Sequence, residues 1–212
     1  MILIDTHAHL YLNAFDKDRE QMVERAIAGG VRNMFMPNID SSSVAGMHAL
    51  GRRYPENCFP MMGLHPTSVK GDYLKEMEQV ERLLGENTYY AVGECGIDLY
   101  WDKTWYREQV EVFNRHIDLA LACDLPLVIH ARESFREIFR VLEGRDISGI
   151  RGVFHCFTGT VEEARRATGL GFMLGIGGVL TYKNSGLDEV VRMTGLEPLV
   201  LETDAPYLSP VP

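Results

Sequence analysis

Short, nearly all-apolar runs alternate along the chain with longer amphipathic stretches. The runs are Ile2-Leu3-Ile4, Val31 to Met36, Phe59 to Leu64, Tyr90-Ala91-Val92, Leu127-Val128-Ile129, Gly152-Val153-Phe154, Phe172-Met173-Leu174 and Leu199-Val200-Leu201. Runs of this kind predict strands buried on both faces, as in a parallel sheet covered by helices. Between them, Asp18 to Ala28, Leu74 to Leu84, Trp105 to Cys123 and Val161 to Leu170 read as helices, with Asp16, Asp72, Thr104 and Thr160 in front as turn or cap residues. The order is β-α repeated.

Strand ends fall at His9, Pro37, His65, Glu94, His130, His155, Gly177 and Asp204. The mean step of about 28 residues is one βα unit. Eight such units predict an α/β protein, a (β/α)8 TIM barrel, where about six would have suggested an open doubly wound sheet. No linker, sequence repeat or break in composition divides the chain, so residues 1–212 are expected to form a single domain.

Composition narrows the class. Hydrophobic residues make up 46% and charged residues 24% of the 212, ample for a core, which excludes disordered and low-complexity classes. No apolar stretch is long enough to span a bilayer, and Met1 to His9 lacks the basic and hydrophobic regions of an export signal. A soluble, cytoplasmic protein without a membrane partner is expected. Cys58, Cys95, Cys123 and Cys156 form no C-x-x-C pair and are expected as reduced, buried thiols. The net charge of −9 argues against broad wrapping of nucleic acid. It leaves room for a substrate held at one end by bound cations.

The chemistry sits where the strands run out. Five of the seven histidines lie there: His7 and His9 after strand 1, His65 after strand 3, His130 after strand 5 and His155 after strand 6. Glu94 ends strand 4, and Asp204 ends strand 8. The C-terminal ends of barrel strands form the face on which barrel enzymes build their sites. Side chains two apart on a strand point the same way, so His7 and His9 can hold one cation. Glu94 can bridge two metals, His130 and His155 can bind the second, and Asp204 can reach the first, provided that strands 8 and 1 are neighbours in a closed barrel.

These residues lie in motifs that resemble the TatD-like family of metal-dependent hydrolases, a branch of the amidohydrolase superfamily. The motifs are Ile4-Asp-Thr-His-Ala-His-Leu, Gly63-Leu-His-Pro, Gly93-Glu-Cys-Gly-Ile-Asp, Pro126-Leu-Val-Ile-His-Ala-Arg-Glu, His155-Cys-Phe-Thr-Gly and Leu201-Glu-Thr-Asp-Ala-Pro-Tyr-Leu. They cover essentially the whole chain. The family's metal ligands fall on His7, His9, Glu94, His130, His155 and Asp204. The resemblance implies a deoxyribonuclease with 3′-to-5′ exonuclease activity on single-stranded DNA ends. Two divalent ions are expected; imidazole-rich sites favour zinc, the family's nuclease chemistry is linked to magnesium, and manganese is a third candidate.

In that chemistry Asp204 and Glu94 are the catalytic carboxylates, with Asp204 taking the proton of the attacking water. His65 and Arg132 are candidates for gripping a substrate phosphate; the alternatives are a structural hydrogen bond near Pro66 for His65 and a salt bridge to Glu133 or another rim carboxylate for Arg132. Glu202 reads as a residue that supports a ligand or as one paired inside the barrel. Trp101, Trp105 and Tyr106 read either as a base-stacking rim or as a hydrophobic lid. Gly175-Ile-Gly177-Gly178 reads as tight barrel packing, and Ser41-Ser-Ser43 as a helix cap.

Two features depart from the family pattern. His116 stands where the family often has Gln. The sequence ends at Val211-Pro212, whereas the family continues for several more helices. A barrel lacking those C-terminal helices should expose apolar surface outside strands 8 and 1, through which a homo-oligomer could form. Two other functions stay open: a binuclear amidohydrolase, lactonase or phosphoesterase acting on a small molecule, and an inactive, shortened binding module.

Overall fold

The computed structural model describes residues 1–211. Strands β1 (Leu3–Asp5), β2 (Val31–Pro37), β3 (Cys58–Met61), β4 (Val92–Asp98), β5 (Leu127–Arg132), β6 (Gly152–Phe154), β7 (Phe172–Ile176) and β8 (Leu199–Leu201) lie in chain order. Helices α1 (Arg19–Ala28), α2 (Val44–Arg53), α3 (Tyr73–Glu86), α4 (Tyr106–Cys123), α5 (Phe135–Glu143), α6 (Val161–Gly169) and α7 (Leu187–Thr194) connect them. Neighbouring strands pair in parallel as β1-β2-β3 and as β4 through β8. The Met62–Val92 bridge joins the two groups, supported by the Gly93 N–H donating to Met62 O at 2.8 Å.

The barrel closes between β8 and β1. Thr6 N–H donates to Leu201 O at 3.0 Å, Asp204 N–H to His7 O at 2.9 Å, and His9 N–H to Ala205 O at 2.8 Å. The predicted (β/α)8 barrel is therefore the observed fold, and the first and last strands are neighbours.

Helices pack their apolar faces on the barrel exterior. Phe113 and Ile117 of α4 and Phe139 of α5 are buried against Phe154 and Phe172 in one part of the core. The other part is rich in methionine, with Met34, Met36, Met47, Met62 and Met77 buried together; flexible thioethers fill irregular gaps between helix and sheet.

Of the four predicted caps, only Thr160 works as one, its side chain and that of Glu163 forming a reciprocal capping box at α6. Asp16 instead pairs with Arg19 at 2.6 Å, and Asp72 caps through its backbone position without a side-chain bond. Thr104 lies ahead of the true cap position, which Trp105 occupies. Ser43 does occupy the cap of α2, but its hydroxyl turns to the preceding loop, where it accepts from Ile39 N–H and donates to Asn38. All four cysteines are free. Cys58 and Cys95 are buried and Cys156 half-buried, but Cys123 is exposed because the last turn of α4 faces solvent.

Among the described residues no helix follows β8. Ile4 of β1 and Leu201 of β8 are accordingly 48% and 62% exposed, the apolar surface expected at that seam. No helix of the described residues is long and apolar enough to cross a membrane.

Candidate metal centre

Asp5, His7 and His9 alternate along β1 and its extension, and all three are buried. The backbone continues strand-like past Asp5, with Ala8 N–H donating to Phe35 O at 3.0 Å. Asp5 ties this segment to the far end of the chain: its carboxylate accepts from Thr203 N–H at 3.0 Å and Thr203 Oγ1 at 2.7 Å. Burial pushes the Asp5 carboxyl up to about 6, against the pull of those hydrogen bonds.

Glu94 occupies the centre of the site. Its Oε2 stands 3.1 Å from His7 Nε2 and 3.5 Å from His9 Nε2. Its Oε1 stands 2.9 Å from His130 Nδ1, 3.3 Å from His65 Nε2 and 3.4 Å from His155 Nε2. Asp204 Oδ1 completes the first set at 3.6 Å from His9 Nε2 and 3.8 Å from His7 Nε2. It also lies 4.0 Å from His155 Nε2, so His155 faces both sets rather than only the second, as the sequence suggested.

Small residues make this convergence possible. Gly96 pairs with His130 in the β4–β5 ladder, and a Cβ there would lie 3.1 Å from the His130 backbone nitrogen. At Gly175 a Cβ would come within 2.7 Å of the Glu202 carboxyl carbon. That glycine leaves the space in which Glu202 Oε1 sits 3.2 Å from His155 Nδ1, which bears out the reading of the Gly175 segment as packing.

Charge is redistributed across the cluster. Burial opposes ionisation of Glu94, yet the surrounding imidazoles of His65, His155 and His7 hold its carboxyl well below the usual range. Burial likewise opposes charge on His155, but Glu202 and Glu94 push its pKa up to about 10. His130 is raised despite burial, since its two nitrogens face Asp98 and Glu94. His7 goes the other way, lowered by burial and by the neighbouring His155. Burial raises Asp204 to about 6, with His155 opposing.

The donor set fits divalent cations. Three groups of ligand-type atoms, His7-His9-Glu94, His7-His155-Asp204 and His65-Glu94-His130, each lie within 4.8 Å of one another. Glu94 Oε2 and His7 Nδ1 are buried without hydrogen-bond partners. Around Glu94 Oε2 the imidazoles converge without donor–acceptor geometry, as groups facing a shared ion do.

The family model described as TatD related DNase matches residues 4–212. The chain belongs to the TatD-related DNase family. Among TatD-type relatives, the metal-dependent hydrolase YabD of Bacillus subtilis (strain 168) is 32% identical over all of this chain and 83% of its own length. The 3′-5′ ssDNA/RNA exonuclease TatD of Cronobacter sakazakii is 32% identical over 98% of this chain and 80% of its own length. The crystal structure of YjjV, a TatD homologue from Escherichia coli K12, matches with a TM-score of 0.86 and 31% identity, covering 99% of this chain and 81% of that one. As a TatD family member, the protein is a metal-dependent hydrolase.

In this TatD site two supporting residues escape the motif reading. Tyr11 Oη donates to Pro37 O, so its oxygen accepts from His9 Nδ1–H at 3.0 Å and leaves His9 Nε2 an acceptor facing the cluster, where it meets His7 Nε2 at 3.3 Å. Asp98 Oδ2 lies 2.9 Å from His130 Nε2. Both continue the period-two alternation of a recognised neighbour, Tyr11 after His7 and His9, Asp98 after Glu94 and Gly96, and that periodicity was the available signal.

His65 is set differently. Thr67 N–H donates to its Nδ1 at 3.1 Å, so the neutral ring carries its proton on Nε2 and presents a donor towards Glu94. The structural bond near Pro66 is thus present, and it leaves the Nε2 donor facing the cluster. Arg132 is exposed and forms no salt bridge to Glu133 among the described residues; its guanidinium lies 4.0 Å from the Tyr100 ring centre. Trp105 and Tyr106 pack against the core, while Trp101 is exposed.

Proposed function

We propose that the protein is a 3′-to-5′ exonuclease acting on single-stranded DNA ends, with two divalent ions held by His7, His9, Glu94, His130, His155 and Asp204. The observation that carries the two-ion assignment is the division of Glu94: one carboxylate oxygen faces His7 and His9, the other His130 and His155. The exonuclease assignment is supported by family membership and by the relative of that name.

Divalent ions bound by these residues would lower the pKa of water and offset charge on a phosphoryl group. Asp204 takes the proton of the attacking water and returns it to the leaving oxygen. Burial raises its carboxyl to about 6, and a cation bound beside it would favour the ionised form that accepts the proton. Glu94 holds the two halves of the cluster together. His65 donates its Nε2 proton to a non-bridging phosphate oxygen, a role supported by the bond from Thr67 N–H to its Nδ1. Arg132 adds positive charge at the rim.

The test is a 5′-labelled single-stranded oligonucleotide incubated with Mg²⁺, Mn²⁺ or EDTA and resolved at single-nucleotide length, beside Asp204→Asn. A metal-dependent ladder shortening from the 3′ end, absent in the variant, is expected. No cleavage by folded, metal-loaded protein would turn the assignment to hydrolysis of a small ester or amide.

A further inference from the structure

Beyond the metal centre, β4 runs into a loop that carries two exposed aromatic side chains. Tyr100 is 49% and Trp101 69% exposed. Apolar rings of that size in water at the rim of an active site call for an explanation. They are not loosely placed. Asp98 Oδ1 accepts from the backbone N–H of Tyr100 at 3.0 Å and of Trp101 at 3.2 Å, while Oδ2 of the same carboxylate meets His130 Nε2 at 2.9 Å. One side chain therefore anchors both the loop and a residue of the metal centre.

The rings are also arranged with respect to charge. Tyr100 and Trp101 stand nearly perpendicular, 87° apart with centres separated by 4.8 Å. The Arg132 guanidinium lies 4.0 Å from the Tyr100 ring centre and 5.2 Å from that of Trp101. Arg132 is two residues beyond His130 on β5, so it projects from the same face about 7 Å further towards the mouth. Among the described residues it has no carboxylate partner that would hold it back.

We propose that Trp101 and Arg132, backed by Tyr100, form a stacking seat for an unpaired nucleobase next to the phosphate that is cut. An aromatic face and a guanidinium plane both stack on any base, which gives grip without sequence preference. A base paired in a duplex is already stacked on its neighbours, so the seat selects frayed or single-stranded ends. The assignment rests on the nuclease function proposed above, which supplies the phosphate; the experiment separates the two.

Wild type and Trp101→Ala are compared on two oligonucleotides, one normal and one with abasic sugars in its last two 3′ positions. Trp101 supports no core packing, so its removal should leave the fold and the metal centre in place. The wild type should cleave the normal strand with a kcat/KM roughly 5- to 100-fold above that for the abasic strand, mostly through KM. Trp101→Ala should lose most of that preference, keeping only what Arg132 supplies, with the rate on the abasic strand unchanged. Equal rates in the wild type, or the full preference retained in the variant, would overturn the seat.

A second readout does not depend on cleavage. In a Trp105→Phe background Trp101 is the sole tryptophan, and its fluorescence should be quenched by dAMP but not by 2-deoxyribose 5-phosphate. Quenching in a protein that cuts no oligonucleotide would refute the nuclease and keep the seat. Absence of quenching in an active nuclease would refute the seat and keep the nuclease.

Discussion

His9 and Tyr11 share a hydrogen bond that decides which nitrogen of His9 faces the metal centre. Because the Tyr11 hydroxyl gives its proton to the Pro37 carbonyl, it can only accept from His9 Nδ1–H at 3.0 Å. Tyr11→Phe keeps the ring and removes that acceptor. We expect Mn²⁺ affinity, measured by titration calorimetry, to fall about 10-fold or more, in the range found for lost outer partners of metal-binding histidines. Unchanged affinity would show that His9 is oriented by packing alone.

Asp204 has φ of 56°, a left-handed conformation that Asn adopts as readily as Asp. Asp204→Asn should therefore melt like the wild type. Its kcat should drop about 10² to 10⁴-fold, the usual contribution of a general base. Turnover at the wild-type level would remove Asp204 from the reaction.

Gly175→Ala tests the space reserved for Glu202. The new methyl carbon would lie 2.7 Å from the Glu202 carboxyl carbon inside a packed barrel. Displacing that carboxylate strips His155 of its neighbour at 3.2 Å. A loss of roughly 1–3 kcal/mol in urea unfolding is expected, typical of an overpacked interior; stability within error of the wild type would mean that the barrel relaxes around the methyl group.

His116 gives a pH signature. It is fully buried, its Nε2 accepts from Leu64 N–H at 3.0 Å and its Nδ1 donates to Val112 O at 2.7 Å. Burial lowers its pKa from 6.5 to about 4, with the bond to Val112 O opposing. Below pH 6.5 the unfolded chain takes up a proton here that the folded chain refuses until pH 4. Stability must therefore fall as pH drops through that window, by roughly 3 kcal/mol from this residue. Glutamine offers one acceptor and one donor without titrating. His116→Gln should show a shallower acid decline in unfolding free energy; parallel curves for the two proteins would refute the assignment.

The strands of the barrel were legible because strands buried on both faces leave unbroken apolar runs, and β6 and β8 fall where those runs predict them. The β4 run was placed too early, at Tyr90 to Val92 instead of Val92–Asp98. The other six residues read Gly-Glu-Cys-Gly-Ile-Asp, in which the core residues Cys95 and Ile97 alternate with Glu94, Gly96 and Asp98 on the side of the site, so the apolar run is broken. The convergence on Glu94 was visible from strand ends alone. The proton positions on His9 and His65 were not, since they depend on a phenol shared with a carbonyl and on a backbone N–H that folding brings into place. Helix caps read least well: Asp16 was within reach of an arginine that competed for it.

The seam between β1 and β8 bears on how the enzyme comes into being. Asp5 grips Thr203 across 198 positions of sequence, and His7 and His9 meet Asp204 only there. A chain still emerging from the ribosome can therefore carry seven strands and all seven histidines while lacking Asp204, and the cluster is complete only once the eighth strand docks.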